Sequence, residues 1–113
     1  MSSVTLSVAS RADVTRRAAA AFRGEQQGAH ISFDSVDLLW RTLTKKRWEI
    51  LRAMIGQGDM SIREVARRVG RDVKAVHGDV TALIQAGILD RSETGVAFAY
   101  DEVRVDFTFT KAA

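Results

Sequence analysis

The sequence predicts a mainly α-helical domain closed by a β-hairpin, and a few observations carry that prediction. Apolar residues recur at helical spacing from Phe33 to Gly87. Capping residues and glycines punctuate that stretch at intervals of one short helix. Beyond Gly87 the period changes to two, and Glu93-Thr94-Gly95 separates two short extended runs, the pattern of a hairpin.

Taken in order, Val4-Thr5-Leu6-Ser7-Val8 alternates apolar and polar, as a strand with one buried face does. Ser10 to Arg23 is alanine-rich and reads as a helix, with Ser10 as N-cap and Gly24 as its stop. His30-Ile31-Ser32-Phe33 is a second strand or an extended lead-in. Asp34 is placed to cap a helix carrying Val36, Leu39, Trp40 and Leu43, with Phe33 and Leu38 spaced as a hydrophobic staple. Thr44 caps the next helix, Lys45 to Ile55, whose apolar positions are Trp48, Ile50, Leu51, Met54 and Ile55.

Ser61-Ile-Arg-Glu64 has the form of a capping box, and Ile62, Val65, Ala66 and Val69 follow it at helical spacing. Gly70 supplies a left-handed turn residue. Asp72 caps a further helix with Val73, Val76, Val80, Leu83 and Ile84 inward, closed by Gly87. Ile88–Ser92 and Val96–Tyr100 form the hairpin, and Val103, Val105, Phe107 and Phe109 alternate with polar residues as a last strand. The implied architecture is a winged helix-turn-helix, with a strand-helix extension at residues 1–32 and an extra C-terminal strand on a domain of residues 33–113.

Charge singles out the same region. Residues 41–91 carry a net +5, residues 1–40 are neutral, residues 92–113 carry a net −2, and the chain totals +3. A helix pair crossing at a tight glycine turn can lay its second helix in the major groove of DNA. On that helix the pattern turns Arg71, Lys74, Ala75, His77, Gly78 and Thr81 outward. Arg71, Lys74 and His77 can donate to phosphate or to guanine, while Ala75 and Gly78 permit close approach to base edges. Gly78 equally fits a helix–helix contact, and His77 a plain surface position. Arg67 and Arg68 contact phosphate or solvate the first helix, and the same choice holds for Lys45, Lys46 and Arg47. Asp79 would repel phosphate and is expected to face away or to pair with Arg67 or Arg71. Only Arg91 lies near the hairpin tip, which carries Glu93.

Composition closes other routes. There is no cysteine, so thiol catalysis, disulfides and cysteine-based zinc sites are excluded. His30 and His77 belong to no ligand cluster, so neither a metal nor another cofactor is expected. No apolar run reaches the length of a membrane span, and the Met-Ser-Ser start lacks a signal-peptide layout, so a cytoplasmic location is the expectation. No spacing sets a nucleophile beside a base, and the chain is not expected to be an enzyme.

From about Phe33 to Phe109 the chain resembles the MarR/ArsR-like transcriptional regulators, closest to small prokaryotic DNA-binding proteins encoded beside toxins. LTKKRWEILRAM (43–54), SIREVARRVGRDVKAVHGDVTALIQAGIL (61–89) and DEVRVDFTF (101–109) carry the resemblance. It implies a homodimeric, operator-binding autorepressor that acts as antitoxin to a cognate toxin, with Arg71, Lys74, Ala75 and His77 in the major groove. Where relatives favour a basic residue after the histidine, this chain has Gly78. The N-terminal strand and helix, with the C-terminal strand, are expected to form the dimer or toxin-binding surface, since an unpaired apolar strand invites pairing. The competing expectation is a protein-interaction module without DNA binding, which Glu93 and the acidic C-terminal segment favour.

Overall fold

A computed structural model describes residues 2–8, 15–16, 18–20, 23, 29–108 and 111. It is an α/β protein built on two three-stranded sheets. The strands are β1 (Ser3–Val8), β2 (Ala29–Phe33), β3 (Asp59–Met60), β4 (Asp90–Arg91), β5 (Val96–Ala97) and β6 (Glu102–Asp106). The helices are α1 (Val36–Thr42), α2 (Lys45–Met54), α3 (Ile62–Val69) and α4 (Val73–Gln85), and residues 15, 16 and 18–20 are also helical. The expected cap at Ser10 and stop at Gly24 lie outside the described residues.

The larger sheet has the order β2-β1-β6 and is parallel throughout, with Leu6 opposite both Ile31 and Val105. Parallel neighbours need a long crossover, and β1 and β2 are twenty residues apart in the chain. The boundary expected between residues 32 and 33 therefore falls inside a strand of this sheet. Val4 and Leu6 are buried in the same core cluster as Leu39, Ile50, Met54, Val80 and Leu83.

This corrects the expected fold class. The mainly α, winged helix-turn-helix reading has no place for a parallel sheet whose central strand is the N-terminal segment. The hairpin is also smaller than expected. β4 and β5 pair over two residues each, and β5 pairs on its other side with β3, in the order β3-β5-β4. Nor is the N-terminal strand left unpaired: β1 has neighbours on both sides within the chain.

Gly95 sets the hairpin against the start of α3. Its φ is 152°, and a Cβ built there would lie 2.5 Å from the Met60 carbonyl oxygen. Two further local expectations shift. Ser35 rather than Asp34 caps α1, its Oγ accepting the Leu38 N–H at 3.1 Å. Val73, expected inward, is 42% exposed at the first turn of α4.

Candidate nucleic-acid interface

The α3–turn–α4 unit is built from local signals. Ser61 Oγ accepts the Glu64 N–H at 3.1 Å and starts α3. Gly70 adopts φ 68°, and the chain reverses there as the Gly70 N–H reaches Arg67 O at 3.3 Å and the Arg71 N–H reaches Ala66 O at 3.1 Å. That bond pair satisfies the last carbonyls of α3 and needs a left-handed residue, which glycine adopts without a Cβ penalty. Asp72 Oδ2 then accepts the N–H groups of Lys74 and Ala75 at 3.0 and 3.4 Å, starting α4 at Val73. Val76, Val80 and Leu83, one stripe of α4, are fully buried.

The capping box is half formed. Glu64 does not return to the Ser61 N–H; its carboxylate instead takes both Arg67 and Arg68, the latter at 2.8 Å. Hydrogen bonds from Arg67 and then Arg68 hold that carboxyl down at about 2. Arg68 also reaches Gln57 Oε1 at 3.1 Å, whereas Arg67 remains 70% exposed beyond its ion pair.

Asp79 ties the helices together. It receives Arg71 Nη2 at 2.7 Å and Arg47 Nε at 3.1 Å, with all three side chains between 17% and 23% exposed. Arg47 also donates to the carbonyl oxygens of Thr42 and Arg41, at 3.2 and 3.4 Å. Burial pushes the Asp79 carboxyl up, but the hydrogen bonds from Arg71 and Arg47 outweigh it and hold the carboxyl below the usual range. Pairing of Asp79 with Arg71 matches the sequence expectation; Arg67 pairs with Glu64 instead. Arg47, 32 residues away, is a partner no local spacing announces. The placement of Arg71 is corrected: its guanidinium, expected outward, is committed to the interior.

What remains outward on α4 is a compact set. Lys74, Ala75, His77 and Gly78 are exposed and Thr81 is half-buried. Lys74, Gly78 and Thr81 follow one another at helical spacing along the outer face, with His77 and Ala75 on its flanks. Among the described residues, a Cβ placed at Gly78 would meet nothing within 4 Å, so no described neighbouring helix explains this glycine. Among the described residues, Lys74, Lys45, Lys46 and Arg91 are exposed and have no ion pair, and the same holds for Arg41, Arg52, Arg63 and Lys111 elsewhere in the chain. The Arg47–Asp79 bond sets the N-terminal turn of α2, with Lys45 and Lys46, beside the middle of α4.

Among the described residues, no group of three or more His, Asp or Glu could hold a metal ion, and no helix is long and apolar enough to cross a membrane. The fold and this surface together define a small α/β protein whose α4 face, with Lys74 and His77, is uncovered among the described residues. A family model, HVO_A0114, matches residues 42–105, more than half of the chain, and the chain belongs to that family. No curated protein and no solved structure matches it.

Proposed function

We propose that this protein is a sequence-specific DNA-binding regulator that presents the outer face of α4 to the major groove. The observation that carries the reading is the sorting of charge on that helix. The acid that would repel phosphate, Asp79, is turned inward and neutralised by two arginines, while Lys74 and His77 stand outward beside two residues with little or no side chain.

Each outward residue then has a role. Lys74 meets phosphate or the guanine O6/N7 edge, and His77 donates to a base or phosphate. Ala75 and Gly78 let the helix backbone approach, with room for a thymine methyl, and Thr81 offers a hydroxyl. Lys45, Lys46, Arg67 and Arg68 add phosphate contacts, and Arg91 a further one from β4. Arg71 acts through Asp79 by fixing the turn and so the angle at which α4 is offered. The finer reading, a dimeric autorepressor that neutralises a cognate toxin in the cytoplasm, is the one the sequence resemblance supports.

The test is binding to the DNA upstream of the chain's own reading frame, titrated with salt and compared with a scrambled duplex. Specific DNA is expected to bind more tightly, with a steep loss of affinity as salt rises. Lys74→Ala should weaken binding several-fold and lower the salt slope by about 1. Unchanged affinity and slope in Lys74→Ala would overturn the assignment of α4.

A second reading, a protein-interaction module, is favoured by apolar exposure on another face, where Trp40 is 52% and Val105 36% exposed. It predicts no preference between the two duplexes.

A further inference from the structure

We propose that two copies of this chain pair through the outer edge of β6, antiparallel, about a two-fold axis centred on Val105. β6 is an edge strand, hydrogen-bonded on one side only among the described residues. The Glu102 N–H donates to Ser2 O at 3.1 Å, on the β1 side. In a parallel ladder the amides alternate sides residue by residue, so those of Glu102, Arg104 and Asp106 face β1. Those of Val103 and Val105 face outward, without a strand to receive them.

Side-chain faces alternate with the same period. Val105 shares a groove with Trp40, Leu43 and Trp48, and Trp40 packs edge-to-face on Phe107 at 5.6 Å between ring centres. Polar residues occupy the other face as Glu102, Arg104, Asp106. Arg104 and Asp106 are 73% and 58% exposed and only loosely paired with each other, at 4.0 Å.

Charges on an edge strand ordinarily deter pairing, but the order acid, base, acid can complement itself. Antiparallel pairing must set outward amides opposite outward amides, which limits the two-fold registers. Centred on Arg104, a register sets Arg104 opposite the partner's Arg104 and Glu102 opposite the partner's Asp106; like charges reject it. Centred on Val103, it sets Val105 against the partner's Asp101, an apolar side chain against a carboxylate. Centred on Val105, it sets each Arg104 opposite the partner's Asp106 and each Val103 opposite the partner's Phe107. Val105 then meets the partner's Val105 in a doubly hydrogen-bonded pair. Of these three registers centred within β6, this one alone satisfies both faces at once. It makes one continuous sheet and brings the two Trp40–Phe107 clusters to the same side of it. Two α4 helices per particle would suit a palindromic site, which deepens the DNA reading without depending on it.

The test is the mass of the full chain in solution, by sedimentation or light scattering, without DNA. The expected value is twice the 12.5 kDa of the chain. Val105→Pro removes an amide that β1 does not use, so circular dichroism should be unchanged while the mass halves. Arg104→Asp alone should also halve it, and Arg104→Asp with Asp106→Arg should restore it. The Val103-centred register predicts no such rescue, because Glu102 would then face an acid. A wild-type chain that stays at 12.5 kDa, a doubled mass in folded Val105→Pro, or a failed rescue overturns the proposal. Should Val105→Pro not fold, the surface charge variants decide it alone. A dimer without DNA affinity upholds this pairing and sinks the DNA reading; a DNA-binding monomer does the reverse.

Discussion

The α3–α4 helix pair and the β2-β1-β6 sheet are held in opposite ways and show opposite surfaces. The pair is set by contacts a few residues apart, at Ser61, Gly70 and Asp72, and its outer face is polar and basic. The sheet is joined by partners nearly the whole chain apart, with Ser2 bonded to Asp101, and its β6 rim exposes Val105 on one face and Arg104 and Asp106 on the other. Local bonding frees the outward side chains of α4 for a ligand in the groove. Backbone bonding at the sheet edge leaves main-chain groups for another strand. The first region is the one proposed to meet nucleic acid, the second the one proposed to meet another copy of the chain.

The largest test of this contrast asks whether the sheet is an appendage or part of the core. Leu6 is fully buried at the centre of β1, as Leu83 is on α4. Leu6→Ala should cost about 3 kcal/mol in urea unfolding, close to the loss from Leu83→Ala. An unchanged midpoint for Leu6→Ala would show that the sheet folds apart from the helices.

Gly95→Ala comes next. Its Cβ would strike Met60 O at 2.5 Å in a backbone conformation other residues avoid, so a loss of about 2 kcal/mol is expected in the same measurement. Retained stability would mean that β3 and β5 part at little cost.

Asp79→Asn follows and bears on how firmly the helix pair is braced. Two half-buried arginines lose their counter-charge, for about 1–2 kcal/mol near neutral pH, discounted for partial exposure. The pH dependence has a definite sign. Because the folded carboxyl lies below its ordinary value of 3.8, its contribution is complete above that value and is lost as pH falls through it toward the lower folded value. Wild-type stability should therefore decline over that acid range by more than the Asn variant's. Parallel acid limbs would show that the two arginines are not held by charge.

Gly78→Ala is the smallest change in stability and the one with opposed effects. The space is open, so the helix should gain about 1 kcal/mol. DNA affinity should fall, because the added methyl occupies the surface offered to the groove. A variant both more stable and equally tight on DNA would leave Gly78 without a part in binding.

Much of the helix pair was legible because its signals are short-range. Ser61, Gly70 and Asp72 announce their turns within three or four residues. The strands β1 and β6 were legible as strands from their alternation, but periodicity names no neighbour, so a parallel sheet of remote segments was read as strands added to a helical domain. Adjacent Asp34 and Ser35 are both good caps, and which one the chain uses depends on where Phe33 leaves β2. At the site, Lys74 and Arg71 are alike in sequence. The fold shows that Asp79, which also holds Arg47, draws Arg71 inward while Lys74 stays out. Val73 is apolar and at the right spacing for burial, yet at the first position of α4 it is 42% exposed.

The most direct measurement is the amide spectrum of the folded chain titrated with its upstream DNA. Shifts are expected to concentrate at Lys74, Ala75, His77, Gly78 and Thr81, with smaller ones at Lys45, Lys46 and Arg67 and none along Glu102–Asp106. Shifts gathered on β6 and Trp40, with α4 silent, would contradict the proposed α4 interface.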